Sequence, residues 1–246
     1  MMKKMLTVFT PTYNRADLLP CAYEALQRQT SSNFKWLVID DGSTDNTKDL
    51  VESWVKENKI DITYVYKENG GLHTGYNKAA ELIDTEICVC IDSDDYMPDD
   101  AVEIINKFWN EHRSDKLAGF IGLDYYDGKD EPIGGHIEEV SEPVHLSEIT
   151  TKLHHYGDTK MVIRVDLFKK VAPQPSFPGE KNFNPIYMLL KIDQTHPWLT
   201  IDKNLCFVDY QENGMAANIF RQYVNCPKSF AAFLWLLYLS EYTILW

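Results

Sequence analysis

The chain has 246 residues, 44% hydrophobic and 25% charged, with a net charge of −13. That length and composition fit one sizeable globular α/β unit. The acidic balance argues against a nucleic-acid partner, because little basic surface is left to neutralise a phosphate backbone, yet a divalent cation could still screen a phosphate-bearing small ligand.

In chain order, Leu6 to Thr10 reads as a first strand, and Leu18 to Gln29 as a helix with Leu18, Leu19, Ala22, Ala25 and Leu26 on one face. Pro11, Asn14, Arg15 and Asp17 interrupt any apolar run that would make the N-terminus a signal peptide. Lys35 to Asp40 is a second strand, and the cap residues around Thr44 to Thr47 open a helix through Val51, Trp54 and Val55. Ile62 to Tyr66 is a third strand and Thr74 to Ile83 a helix. Ile87 to Ile91 is a fourth strand, and Pro98 is placed to open a helix over Asp99 to Trp109. Ala118 to Leu123 is a fifth strand. From about 126 the alternation decays: 126–143 reads as loop, Met161 to Val165 as a strand, and Pro173 to Pro178 as an extended linker. Phe230 to Leu239 is continuously apolar, too short for the about 20 residues that a spanning helix needs, so it reads as a buried or interfacial helix. The five cysteines fit no disulfide or zinc spacing; a reducing, cytosolic setting follows.

Strand–helix alternation implies a parallel sheet with helices on both faces, and ligands bind such sheets beyond the carboxyl ends of the strands. Four polar turns fall there. Asp92-Ser93-Asp94-Asp95 places three carboxylates in four residues, which repel one another unless a cation sits among them; all-oxygen ligands suit Mg²⁺ or Mn²⁺. A macrodipole role explains Asp99 and Asp100, but not Asp92 and Asp94, which precede the helix. Asp40-Asp41-Gly42-Ser43 offers a carboxylate for a base imide, although caps and a tight turn explain much of it. Asn69-Gly70-Gly71, followed by His73, Asn77 and Lys78, puts bare backbone N–H groups before a helix, where a diphosphate or sugar could approach; a plain turn is the simpler reading.

Taken in order, Thr10-Pro11-Thr12-Tyr13-Asn14-Arg15, Asp40 to Asp45, Asn69 to Lys78 and Ile91 to Asp99 closely resemble the family 2 glycosyltransferases of GT-A fold. The resemblance is strong over residues 5–125 and weaker through Gly157-Asp158, Phe177 to Lys181 and Tyr210 to Gly214. It implies inverting transfer from a nucleoside-diphosphate sugar, most often a UDP-sugar, with Mn²⁺ or Mg²⁺ as cofactor. By position, Pro11 and Tyr13 would frame the uracil, Asp41 accept its imide, and Arg15 line the nucleotide pocket. Gly71, His73, Asn77, Asp92 and Ser93 complete the expected donor contacts; Asp94 would be the principal metal ligand, with Asp92 beside it. Asp95 would support the loop or face the sugar.

The acceptor hydroxyl must lose its proton as it attacks, so a carboxylate base is needed. The resemblance points to Glu180, with Asp158 as second choice and His154-His155 as a further ligand pair. Two departures stand out. Leu72 occupies a position where relatives carry a basic residue, and Asn182 to Ile186 lacks a second acidic residue after Glu180. The expected organisation is one GT-A domain over 1–225, with a donor-binding half (1–125) and an acceptor-side half (126–225), then an apolar helix over 226–246 that is either truncated or membrane-associating. The expected partners are the donor and a saccharide or lipid-linked acceptor, with peripheral contact through the C-terminus at the inner face of the membrane. The alternatives are a non-catalytic nucleotide-sugar-binding module and a nucleotidyltransferase; Pro11-Thr12-Tyr13 after strand one, where a glycine-rich basic loop is needed, disfavours the latter.

Overall fold

The computed structural model describes residues 3–137, 142–210 and 219–239. The first half runs β1 (Leu6–Thr12), α1 (Leu19–Gln27), β2 (Phe34–Asp40), α2 (Thr47–Glu57), β3 (Ile62–Tyr66), α3 (Leu72–Leu82), β4 (Ile87–Cys90), α4 (Ala101–His112) and β5 (Gly119–Tyr126). The second half continues with α5 (Leu146–Thr151), β6 (Thr159–Arg164), α6 (Val165–Val171), α7 (Ile186–Asp193), β7 (Trp198–Val208), α8 (Ile219–Asn225) and α9 (Pro227–Leu239).

The strands form one sheet in the order β3-β2-β1-β4-β6-β5-β7. β1 to β4 pair in parallel, as do β5 and β7; β6 runs antiparallel between β4 and β5. The expected α/β layering with a mainly parallel sheet holds. Alternation along each strand divides the core. Leu6, Val8, Trp36 and Val38 face α1, α2 and α4, while Phe9, Leu37 and Ile39 face α3, α6 and α7. Both faces are covered, which is why these strands are apolar at nearly every position.

Several boundaries differ from expectation. α4 begins at Ala101 because Pro98 to Asp100 are spent in a turn: Asp99 accepts Thr30 N at 2.8 Å through its carbonyl and Arg28 Nε at 3.0 Å through its carboxylate. Residues 126–137 carry more structure than a loop reading implies. β5 extends to Tyr126, the chain folds back to pair Tyr125 with Pro132, and Ile133 and Ile137 are buried. Val144 then exchanges both backbone hydrogen bonds with Trp198 at 2.8 Å.

Candidate functional site

β1 to β4 end on one edge of the sheet, so the turns after them gather there. The first two turns are stitched together by Asn14, in a left-handed conformation (φ 52°) that asparagine tolerates. Its Oδ1 accepts Thr44 N at 2.7 Å, its own N–H donates to Ser43 Oγ at 2.8 Å, and Ala16 N donates to Asp45 Oδ2 at 3.1 Å. Asp40 holds the base of the second turn, accepting Ser43 N at 2.7 Å and Tyr64 Oη at 2.6 Å. Tyr13 projects from this frame 48% exposed, with Arg15 half-exposed behind it. Pro11, expected to frame a base, is instead buried under α3, where a Cβ on Gly75 would lie 3.0 Å from the proline Cβ.

Asp41 is 4% exposed and its carboxylate is occupied within the protein. Oδ1 accepts Gly70 N at 2.9 Å and pairs with Lys67 Nζ; Oδ2 accepts Gly71 N at 2.8 Å. Asp41 thus shapes the glycine turn through these charge-assisted hydrogen bonds. Gly42 is required here, since at φ +86° its Cβ would fall 2.7 Å from Asn69 N.

The glycine turn and α3 in turn latch the 173–183 segment. Gly71, at φ +95°, packs so tightly that a Cβ would meet Lys181 O at 1.8 Å. His73 is 1% exposed, with Nε2 2.9 Å from Ser176 Oγ and its ring near Phe183. Burial lowers its pKa, favouring the neutral ring. Asn77 clamps Gln174, accepting its N–H at 2.7 Å and donating to its carbonyl at 3.0 Å. Lys181 Nζ reaches Asn69 Oδ1 at 2.6 Å. Gly71, His73 and Asn77 therefore join two parts of the chain.

The acidic loop after β4 divides its carboxylates. Asp95 N donates to Asp92 O at 3.2 Å, a turn that leaves Asp92 exposed and Asp94 half-buried while Ser93 and Asp95 are buried. Burial, then the charge of Asp92, raises the Asp94 pKa; Arg15 opposes that shift, which places its guanidinium in the field of the loop. Beneath the loop, Lys160 Nζ lies 3.8 Å from Asp95 Oδ2 and 3.6 Å from Asp124 Oδ2. Burial pushes Asp95 up to about 7 and Asp124 up to about 6, with Lys160 opposing both shifts. Burial alone would lower the Lys160 pKa, but Asp124 and Asp95 more than offset it and keep the ammonium charged.

Glu180 is tied to the start of α9. It is 9% exposed, and its oxygens accept Lys228 N at 3.1 Å and Ser229 N at 2.7 Å. α9 opens with Pro227, which has no N–H, preceded by Cys226, a poor cap; a remote carboxylate therefore satisfies the next two donors. Burial would raise the Glu180 pKa, but these hydrogen bonds outweigh it and lower it. This capping gives Glu180 a structural role at the start of α9. Asp158 is exposed at the start of β6 and accepts the Tyr210 hydroxyl, and its charge acts on Asp124. His154 is exposed, and His155 is buried at 2%. The weak match through Gln211 to Gly214 lies outside the described residues.

A family model, glycosyl transferase family 2, matches residues 7–172, which contain all four turns and the Asp158–Lys160 segment. The chain belongs to glycosyl transferase family 2. A validoxylamine A glucosyltransferase from Streptomyces hygroscopicus subsp. jinggangensis is 39% identical over 93 residues, covering 36% of this chain and 22% of that protein. Among solved structures, S. aureus TarS 1–349 in complex with UDP superposes with a TM-score of 0.69 at 22% identity, over 96% of this chain and 65% of that one. The mannosyltransferase PcManGT from Pyrobaculum calidifontis, in complex with GDP-Man and Mn²⁺, gives 0.65 at 19% identity, over 95% of this chain and 65% of that one. The chain thus spans less than two thirds of the length of each of these relatives. Their fold is the GT-A fold expected from the motifs.

This family 2 site fits a divalent cation of a particular kind. Among the described residues no three His, Cys, Asp or Glu side chains converge into a protein cage. Asp92 and Asp94, adjacent carboxylates whose mutual repulsion helps raise the Asp94 pKa, instead suit Mg²⁺ or Mn²⁺, which take one or two carboxylates and complete their shell with substrate phosphates. Sequence reasoning missed Asn14, Lys67, Asp124 and Lys160. Asp124 carried a legible signal, a lone carboxylate near the end of an apolar strand; Lys160 carried none, because its partners depend on where β6 inserts.

Proposed function

We propose that this protein is an inverting glycosyltransferase that moves a sugar from a nucleoside-diphosphate donor, of the UDP-sugar class, to a hydroxyl of a growing polysaccharide or glycolipid. The observation that carries the reading is the outward pair Asp92 and Asp94, beside Arg15, at the carboxyl edge of a family 2 fold. TarS with UDP and PcManGT with GDP-Man and Mn²⁺ support a nucleotide-sugar donor.

In this reading Tyr13 stacks on the base and Arg15 balances charge on the diphosphate. Asp92 and Asp94 hold Mn²⁺ or Mg²⁺, which when bound supplies Lewis-acid neutralisation of the leaving diphosphate. The neutral His73 and the Asn77 clamp fix the segment that walls the sugar. With Glu180 engaged at α9, Asp158 is an exposed carboxylate on the same edge that takes the acceptor proton, and the Tyr210 hydroxyl holds it in place. The exposed Phe220, Val224, Trp235 and Tyr238 on α8 and α9 suit a lipid-linked acceptor at a membrane surface. Among the described residues no helix is long and apolar enough to cross a membrane.

The capping of Glu180 also favours a second reading, a module that binds nucleotide sugar without turning it over. One assay separates them: UDP release from a panel of UDP-sugars with Mn²⁺, comparing wild type, Asp94→Ala and Asp158→Asn. Transfer or hydrolysis that falls on the order of 10²-fold or more in both variants is expected. Donor binding without turnover in wild type favours the second reading; full activity in Asp158→Asn removes that residue as the base.

A further inference from the structure

The acidic loop carries three carboxylates, yet only two are turned outward, and the donor-site reading above does not say what makes that division. Asp95 is 5% exposed, Asp124 3% and Lys160 9%. Asp124 Oδ1 has no hydrogen-bond partner among the described residues, so the contact of its other oxygen with Lys160 is the compensation visible for a buried charge. A lysine reaches this depth because β6 is antiparallel. Its first residues, Thr159 and Lys160, lie at the edge where the parallel strands end, and Lys160 stands opposite Gly122 in β5. Asp124, two residues further along β5, shares that face as a diagonal neighbour. β4 flanks β6 on the other side and delivers Asp95 just beyond its end.

We propose that Lys160 is a positioning residue for the donor site: by drawing Asp95 down toward Asp124 it fixes the Asp92–Asp95 turn with Asp92 and Asp94 presented to the cation and diphosphate. Without the ammonium, two buried carboxylates would repel each other and the loop would turn Asp95 outward, where it competes with Asp94 for the cation. Lys160 touches neither donor nor acceptor; it acts through the loop. This inference rests on the donor-site reading.

The test is calorimetric titration of MnCl₂ with UDP into the full chain, alongside donor kinetics. Lys160→Met keeps the apolar stem and removes the charge. The expected result is a rise of at least about tenfold in the Mn²⁺·UDP dissociation constant, with the donor KM rising in parallel, kcat changing by less than about threefold, and Lys160→Arg recovering most of the affinity. A lysine with only a structural role would lower the melting temperature and leave the affinity and KM of the folded protein unchanged. If Lys160→Met does not fold, Asp95→Asn cuts the same tether while keeping Asp92 and Asp94, and the same loss of affinity is expected. Unchanged affinity in a folded Lys160→Met or Asp95→Asn overturns the role of Lys160 alone. Wild type that binds no Mn²⁺·UDP overturns the donor-site reading and this inference with it.

Discussion

Asp41 shows how a single side chain changes meaning once its neighbours are known. Two adjacent aspartates after β2 invite a ligand reading, yet the second carboxylate receives two backbone N–H groups and a lysine from the turn after β3. Replacing it with alanine leaves two amides without a partner and Lys67 without its counter-charge, though still bonded to Glu68 O and Thr74 Oγ1, and the expected cost is roughly 2–4 kcal/mol. Urea unfolding of Asp41→Ala measures it; a donor KM effect with unchanged stability would restore the ligand reading. A second test uses Gly71. Alanine there must adopt φ +95° and push back the Lys181 carbonyl, so Gly71→Ala is expected to destabilise by more than the about 1–3 kcal/mol of a strained backbone alone. The Tm of that variant reads the difference. Asp92, Asp94 and Arg15 lie just beyond strand ends, which are legible from apolar runs. The packing of Asp41, His73 and Asn77 was not legible, because a motif names residues without naming what packs on top of them.

At the scale of elements, the first five strands and four helices were readable from periodicity, and their errors are confined to ends such as Asp99, which α1 recruits away from α4. The later elements were not. α5, α6 and α8 span only six or seven residues, too short for a helical repeat to show, and β7 carries polar residues from Asp202 to Asn204 in mid-strand. α9 was visible as an apolar run, but its anchoring was not: its cap is Glu180, which lies 48 and 49 positions upstream of the Lys228 and Ser229 amides it accepts. That anchoring makes a pH prediction. The folded-state pKa of Glu180 lies below its ordinary value, so the stabilisation is complete above the unfolded value of about 4.3 and is lost as pH falls through the lower, folded value. Amide protection factors in α9 should fall over that acid window while those of β1 to β4 hold. Glu180→Ala should show the lower protection already at neutral pH and lose the pH dependence.

At the scale of the molecule, the sheet is continuous from β1 to β4, whose turns carry Asp92 and Asp94, to β5, which carries Asp124, and β6, which Asp158 precedes. The 173–183 latch and the β6 insertion bind the two sides at separate places. A chain cut after residue 125 retains all four donor turns but no β6, and we expect it to aggregate and to bind no UDP, which size-exclusion chromatography and calorimetry would report. Recovery of UDP binding by that fragment would mean the first half is self-sufficient.

The insertion of β6 also sets an order in time. During synthesis, β1 to β4 emerge and can pair as each crossover closes, while β5 finds no parallel neighbour and waits for a strand that follows it in the chain. The open edge of β4, lined by Ile87, Cys88 and Val89, stays exposed until about seventy further residues have left the ribosome, on the order of seconds at ordinary elongation rates. The same strand that seats a lysine under the donor loop is thus the last piece needed to close the centre of the sheet. Growth temperature or chaperone supply should therefore govern yield more strongly than the stability of the finished protein does.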